Sequence, residues 1–188
     1  MKSVWKYVDL GLALVIGASL VVGGLIGWPL LSGMQENNDR AEIVVSARDG
    51  VHSLYSVSVE SIDTDLNRAS DYLTGEMLEV WNANVENVKQ AVVVNSSSQT
   101  ADVKSAAYEK GTGTKATVLL AVDAVTEYGA PRPDEDGNQV DASEAEPCAE
   151  DDKEPEGCIP GPVTNHYRFE AQMVKVDGAW LIARLDVV

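Results

Sequence analysis

Histidine is the side chain best suited to moving protons near neutral pH, and the chain has two, His52 and His166. General acid–base or nucleophilic chemistry would need a nucleophile or a carboxylate within hydrogen-bond reach of one of them. No nucleophile motif accompanies either. There is no G-x-S-x-G, no P-loop, no G-x-G-x-x-G after a strand and no metal-binding histidine pair. Both read as ordinary surface or edge histidines. Asp63 and Asp65 are spaced like a carboxylate pair, but they stand where a helix begins, and acidic side chains there complement the helix dipole. The fragment Asp134–Asn138 has the look of a calcium loop. Aligning Gly137 with the invariant EF-hand glycine puts Arg132 at the first ligand position and Ser143 at the last, and both are wrong. The chain reads as no enzyme, with no catalytic residue, no cofactor and no metal.

Two cysteines, Cys148 and Cys158, complete the reactive groups. Their chemistry depends on which side of a membrane they occupy. The run from Leu10 to Leu31 carries no charged residue and is built mainly of Leu, Val, Ile, Ala and Gly. At 1.5 Å per residue it spans roughly 33 Å, matching a bilayer core of about 30 Å. Trp5 and Tyr7 stand at one end and Trp28 at the other, as at the two membrane interfaces. Lys2 and Lys6 precede the run, so the positive-inside rule puts the N-terminus in the cytoplasm and everything after about residue 33 outside. A cleaved signal peptide is the rival, but its apolar stretch is shorter and ends in a small-x-small site, whereas this one ends in Trp28-Pro29-Leu30-Leu31. No cysteine stands just after the run, which excludes a lipoprotein. The expected localisation is the plasma membrane, single-pass, with residues 1–33 as stub and anchor and 34–188 as an extracytoplasmic domain.

On the oxidising side, two cysteines ten positions apart are expected to form a disulfide. Within the anchor, Ser19, Gly23 and Gly27 recur every four residues on one helix face, where small side chains let another helix approach closely.

The formal net charge of the 188-residue chain is −16, and no basic stripe offsets it, which argues against nucleic-acid binding. Much of that charge is local. Between Arg132 and Cys158 there are eleven acidic residues against two basic ones, a net of −9. This segment belongs to a polar, proline-rich insert over about 129–162 that cannot bury enough apolar surface for a core of its own.

Around the insert the periodicity is orderly. From Met34 to about Ser58 the apolar positions Ala41, Val44, Ala47, Val51, Leu54 and Tyr55 step by three and four, predicting a helix that runs through Gly50. Asp63 is a candidate N-cap for a second helix, marked by Leu66, Ala69 and Leu73 and ending near Thr74-Gly75. A third is expected over about Glu76–Val88, after which Val92-Val93-Val94 opens a β-rich region. Four strands follow: Thr100–Glu109, Lys115–Glu127, Val163–Val176 and Ala179–Val187. Val118, Leu120, Val122 and Ala124 share one face, as do Leu181, Ala183, Leu185 and Val187. Asp177-Gly178 predicts a hairpin joining the last two strands.

Anchor, three helices and a curved antiparallel sheet is the order of an α+β, NTF2-like cone. Four features sharpen this: the small-residue helix around Ala41–Tyr55, the run Ile62-Asp63-Thr64-Asp65-Leu66-Asn67-Arg68 leading to Leu73-Thr74-Gly75-Glu76, the stretch Val88–Val93, and the ending Val174-Lys175-Val176-Asp177-Gly178-Ala179-Trp180-Leu181-Ile182. Together they resemble the Mce-associated membrane proteins of actinobacteria, which are in turn similar to the periplasmic domain of VirB8. The resemblance covers nearly the whole chain except the acidic insert, which departs from the family pattern. It implies a non-enzymatic accessory subunit whose partners are other membrane proteins of an envelope complex, such as an Mce-type lipid importer or a respiratory supercomplex. The alternative is a small apolar ligand-binding protein or an enzyme using the pocket that such cones often enclose; that reading requires polar groups converging inside the cone.

Overall fold

The structure, a computed structural model, describes residues 39–131, 145–148 and 157–188. The expected anchor, with Ser19, Gly23 and Gly27, lies outside the described residues, as do Arg132 and the calcium-like fragment. Among the described residues no helix is long and apolar enough to cross a membrane.

Helix α1 covers residues 39–55. Its core-facing stripe is Ile43, Ala47, Gly50, Val51 and Leu54, all buried, while Ala41 is exposed and Val44 and Tyr55 are half-buried. Periodicity placed the stripe correctly but not its edge. Gly50 faces inward: a Cβ there would lie 2.8 Å from Ile182 Cδ1 and 3.2 Å from Tyr72 Cβ. The glycine therefore lets the helix approach closely, which offsets its low helix propensity.

Strand β1 is the short Val57–Ser58, paired with the start of β2. Helix α2 spans Ile62–Ser70 and buries Ile62, Leu66 and Ala69. The expected N-cap is corrected here: Ser61 flanks the helix, and Asp63 lies within its first turn, where it pairs with Lys89 of the next helix. Asp65 secures the helix start. Its buried carboxylate accepts from Ser61 Oγ at 2.6 Å and from the Ser58 amide at 3.2 Å, and pairs with Arg68 at 3.1 Å. Leu73 is no part of this helix. The backbone of residues 72–74 leaves it to meet the sheet edge, with Ile182 N–H donating to Tyr72 O and Thr74 N–H to Ile182 O. Gly75 does adopt the left-handed conformation, φ +54°, but opens the third helix instead of closing the second.

That helix, α3, runs Gly75–Val94, six residues beyond the expected end. Val92-Val93-Val94 is helical in spite of its β-branched side chains. The apolar steps Leu78, Trp81, Val85 and Val88 continue to Val92, which is buried, so tertiary packing overrides local propensity. Ser96, at φ 45°, turns the chain into the sheet.

The remaining strands are β2 (Ser98–Thr112), β3 (Lys115–Glu127), β4 (Val163–Val176) and β5 (Ala179–Val187). They form an antiparallel meander in the order β1-β2-β3-β4-β5. Asp177 and Gly178 both have positive φ, 50° and 92°, as the β4–β5 hairpin requires. Two register shifts in β2, after Val103 and after Tyr108, add residues to that strand alone and strengthen its bend and twist. Its free edge is covered by α1: Arg48 donates to Val103 O at 3.0 Å, His52 Nδ1 lies 2.7 Å from Ala101 O, and Ser56 Oγ accepts from the Ala101 amide at 3.0 Å.

The face of β3 expected to be apolar, Val118, Leu120, Val122 and Ala124, is buried throughout. On β5 the expected face is corrected. Met173 pairs with Ile182 but Gln172 with Arg184, so Ala183 is an extra residue and the strand changes parity there. Trp180 and Ile182 face inward before the bulge and Leu185 after it, while Leu181 turns to the other side.

The disulfide joins Cys148 to Cys158. Both are half-buried, and the ring is tied by Cys148 N–H donating to Ile159 O and Ile159 N–H to Glu146 O. These ties are local to the insert. Replacing both cysteines by serine removes roughly 2–3 kcal/mol of ring-closure stabilisation from the insert's own ordered form. The melting temperature of the domain is expected to shift by only a few degrees in a calorimetric scan; collapse of the fold would mean that the insert is part of the core.

Candidate functional site

The inner face of the sheet, α1 and α3 line a half-open cavity of about 520 Å³. Leu54, Tyr55 and Val57 bound it from α1 and β1, and Met77, Trp81, Val88 and Val92 from α3. Gln99, Thr126, Tyr128 and Asn165 line the end of the sheet where β2 begins, β3 ends and β4 begins. Alternation along each strand sends Gln99, Thr126 and Asn165 to the same inward face as the core residues Ala101, Ala124 and Phe169.

Two of these polar groups are held by the protein itself. Gln99 Nε2 donates to Tyr55 O at 2.9 Å, and Thr126 Oγ1 donates to Gln99 Oε1 at 3.0 Å. Beside them Tyr55, Tyr167 and Phe169 form an aromatic cluster with ring centroids 5.1–5.5 Å apart. Burial raises the pKa of the Tyr55 phenol above its ordinary 10.0, and Tyr167 adds to the effect. Among the described residues no Asp, Glu, His, Lys or Arg lines the cavity.

The two histidines are not brought together. His52 is on α1 at the β2 edge, whereas His166 is on the sheet face away from the helices, 2.6 Å from Asp123. The His166 hydrogen bond holds the Asp123 carboxyl below its ordinary range, with Lys104 and Arg168 adding to it. Among the described residues no nucleophile is bonded to this pair. Asp63 and Asp65 are likewise divided between separate structural contacts. Among the described residues no group of three or more His, Cys, Asp or Glu side chains could hold a metal. The polar end of the cavity had no sequence signal, because Gln99, Thr126 and Asn165 come from three strands and meet only through their register.

No protein-family model matches the chain, and no curated protein matches it in sequence. Solved structures do match in fold. An IcmL-like type IV secretion system protein from Legionella pneumophila is 9% identical, with 79% of this chain and 91% of that one covered and a TM-score of 0.53. CagV, a VirB8 homolog of the type IV secretion system of Helicobacter pylori, is 8% identical over 79% and 97%, with a TM-score of 0.51. VirB8 of Agrobacterium tumefaciens is 10% identical over 79% and 90%, with a TM-score of 0.50. At such identities what is shared is the fold: five antiparallel strands and three helices arranged as in VirB8-like domains.

Proposed function

We propose that this chain is a non-enzymatic accessory subunit that scaffolds a larger cell-envelope membrane complex, held in the plasma membrane by residues 10–31 with its domain outside the cytoplasm. The observation that carries this reading is the fold shared with VirB8-like proteins, two of which are by name proteins of type IV secretion systems. The finer reading, an actinobacterial complex such as an Mce-type lipid importer or a respiratory supercomplex, rests on the sequence resemblance alone. Ser19, Gly23 and Gly27 would form the contact with a partner helix, and the acidic insert would steer a basic partner during encounter.

The test is purification of the full chain in mild detergent, with identification of what accompanies it. Gly23→Leu with Gly27→Leu is expected to reduce the co-purified membrane subunits several-fold. Neutralising the acids of the insert should reduce association more at low salt than at high salt, since screening already weakens the attraction. A chain that purifies alone, indifferent to both changes, would rule out the scaffold.

A further inference from the structure

Contacts along α1 fix the end of the sheet at which the chain enters the domain. His52 lies against Ala101 and Arg48 against Val103, so α1 runs antiparallel to β2. Traced backwards, the helix climbs towards the β2–β3 turn. Glu42, six residues before Arg48, stands about 9 Å farther up, level with about Ala106. Thr112, where β2 ends, lies up to about 20 Å beyond that in the same direction. Eleven residues separate Leu31 from Glu42, a stretch that spans about 16 Å as helix and about 37 Å fully extended. The turn is therefore within the distance that this stretch of chain can bridge.

The two ends of the sheet differ in charge. Register brings Lys110, Lys115, Lys175 and Arg184, one from each of β2 to β5, to the turn end. Three of them, Lys110, Lys115 and Arg184, line an open groove of about 640 Å³, in which Glu76 is the one acid among the described residues. Lys110 and Arg184 also touch Glu109 and Asp186, but these are exposed pairs of the weak surface kind. Asp177 is the acid at the β4–β5 turn. The strand ends that bear the acidic insert, Glu127 and Val163, lie at the other end, roughly 40 Å away along β3. With a Debye length of about 8 Å at physiological ionic strength, an anionic surface near the turns responds chiefly to the charges there.

We propose that the β2–β3 and β4–β5 turns face the membrane, and that Lys110, Lys115, Lys175 and Arg184 dock on the phosphates of anionic lipids in the leaflet from which the domain emerges. Juxtamembrane lysines and arginines are attracted to such lipids one by one. The proposal rests on the anchored reading above and adds to it a lipid partner and an orientation.

The experiment uses the full chain in nanodiscs of phosphatidylcholine, with or without about a third of phosphatidylglycerol. Lysines are acetylated with an uncharged reagent, N-hydroxysuccinimide acetate, and the rate at each is read by mass spectrometry. Lys110 and Lys115 are expected to react at least threefold more slowly when phosphatidylglycerol is present, and high salt should restore the rate. Lys104 is the internal reference, exposed like Lys110 but roughly 20 Å farther from the turn. Its rate should change less than 1.5-fold. Lys110→Glu with Lys115→Glu, both at exposed positions, should abolish the phosphatidylglycerol effect at Lys175. A chain that enters neither kind of nanodisc would remove the anchor and this proposal together. A chain that enters both yet shows equal rates at Lys110 and Lys115, or equal slowing at Lys104, would overturn the proposal alone. Slowing that needs co-purified subunits and not phosphatidylglycerol would overturn it in favour of an acidic protein.

Discussion

Replacing Gly50 by leucine is expected to lower the unfolding free energy by about 3 kcal/mol, a large share of the stability of a domain this size. The position has no room. A single added carbon would already lie 2.8 Å from Ile182 Cδ1, and Ile182 is fully buried and bonded to Tyr72 and Thr74 through both its amide and its carbonyl. It cannot retreat without loosening the β5 edge. Alanine is the informative comparison, because its better helix propensity is worth about 1 kcal/mol and opposes the clash. Gly50→Ala should therefore fall within about 1 kcal/mol of the parent, and the two variants should differ sharply in urea midpoint. If leucine were tolerated as well as alanine, α1 would not rest on β5 as described.

Phe169→Ala is expected to cost about 3–5 kcal/mol, the usual range for removing a buried phenylalanine. Phe169 is the only phenylalanine of the chain and is 1% exposed, at mid-sheet opposite Leu120 and Val187. It touches both tyrosine rings of the aromatic cluster, so the cavity left behind would open onto the Tyr55 phenol. This gives a second readout. Burial is what raises the Tyr55 pKa, so in any variant that stays folded its ultraviolet titration should move back down towards 10.0. Unchanged Tyr55 titration in a destabilised but folded protein would show that the ring is shielded by something other than Phe169.

Much of this fold was legible from one-dimensional patterns. The bounds of β3, β4 and β5 agree with the alternation and with the Asp177-Gly178 turn, because strand period and turn chemistry are local properties. The stripe of α1 was legible for the same reason. What escaped were features created by contact between elements. Val92–Val94 reads as strand by propensity, yet burial of Val92 keeps it helical. Leu73 fits a helical step, yet a bridge to Ile182 draws it out of the helix. The Ala183 bulge inverts a face that alternation alone assigns wrongly, and bulges leave no reliable mark on sequence. The cavity could not be read from sequence, since its polar end is assembled from three strands by register.

The way the sheet is wired has a consequence for how it assembles. Strands β2 and β3 are joined by a tight turn, and so are β4 and β5, while β3 and β4 pair from Lys115↔Val174 to Thr126↔Val163 across the connection of residues 128–162. Two hairpins can thus form from nearby residues, whereas the seam between them must close the longest connection among β2, β3, β4 and β5. That loop is entropically forgiving, since doubling its length adds only about 0.6 kcal/mol to closure. A cut within it would free the two hairpins to arrive as separate pieces, with the seam still intact once formed. The acidic insert is therefore the place where this domain could be split into two fragments that reassemble, or given new chain ends, without breaking a strand.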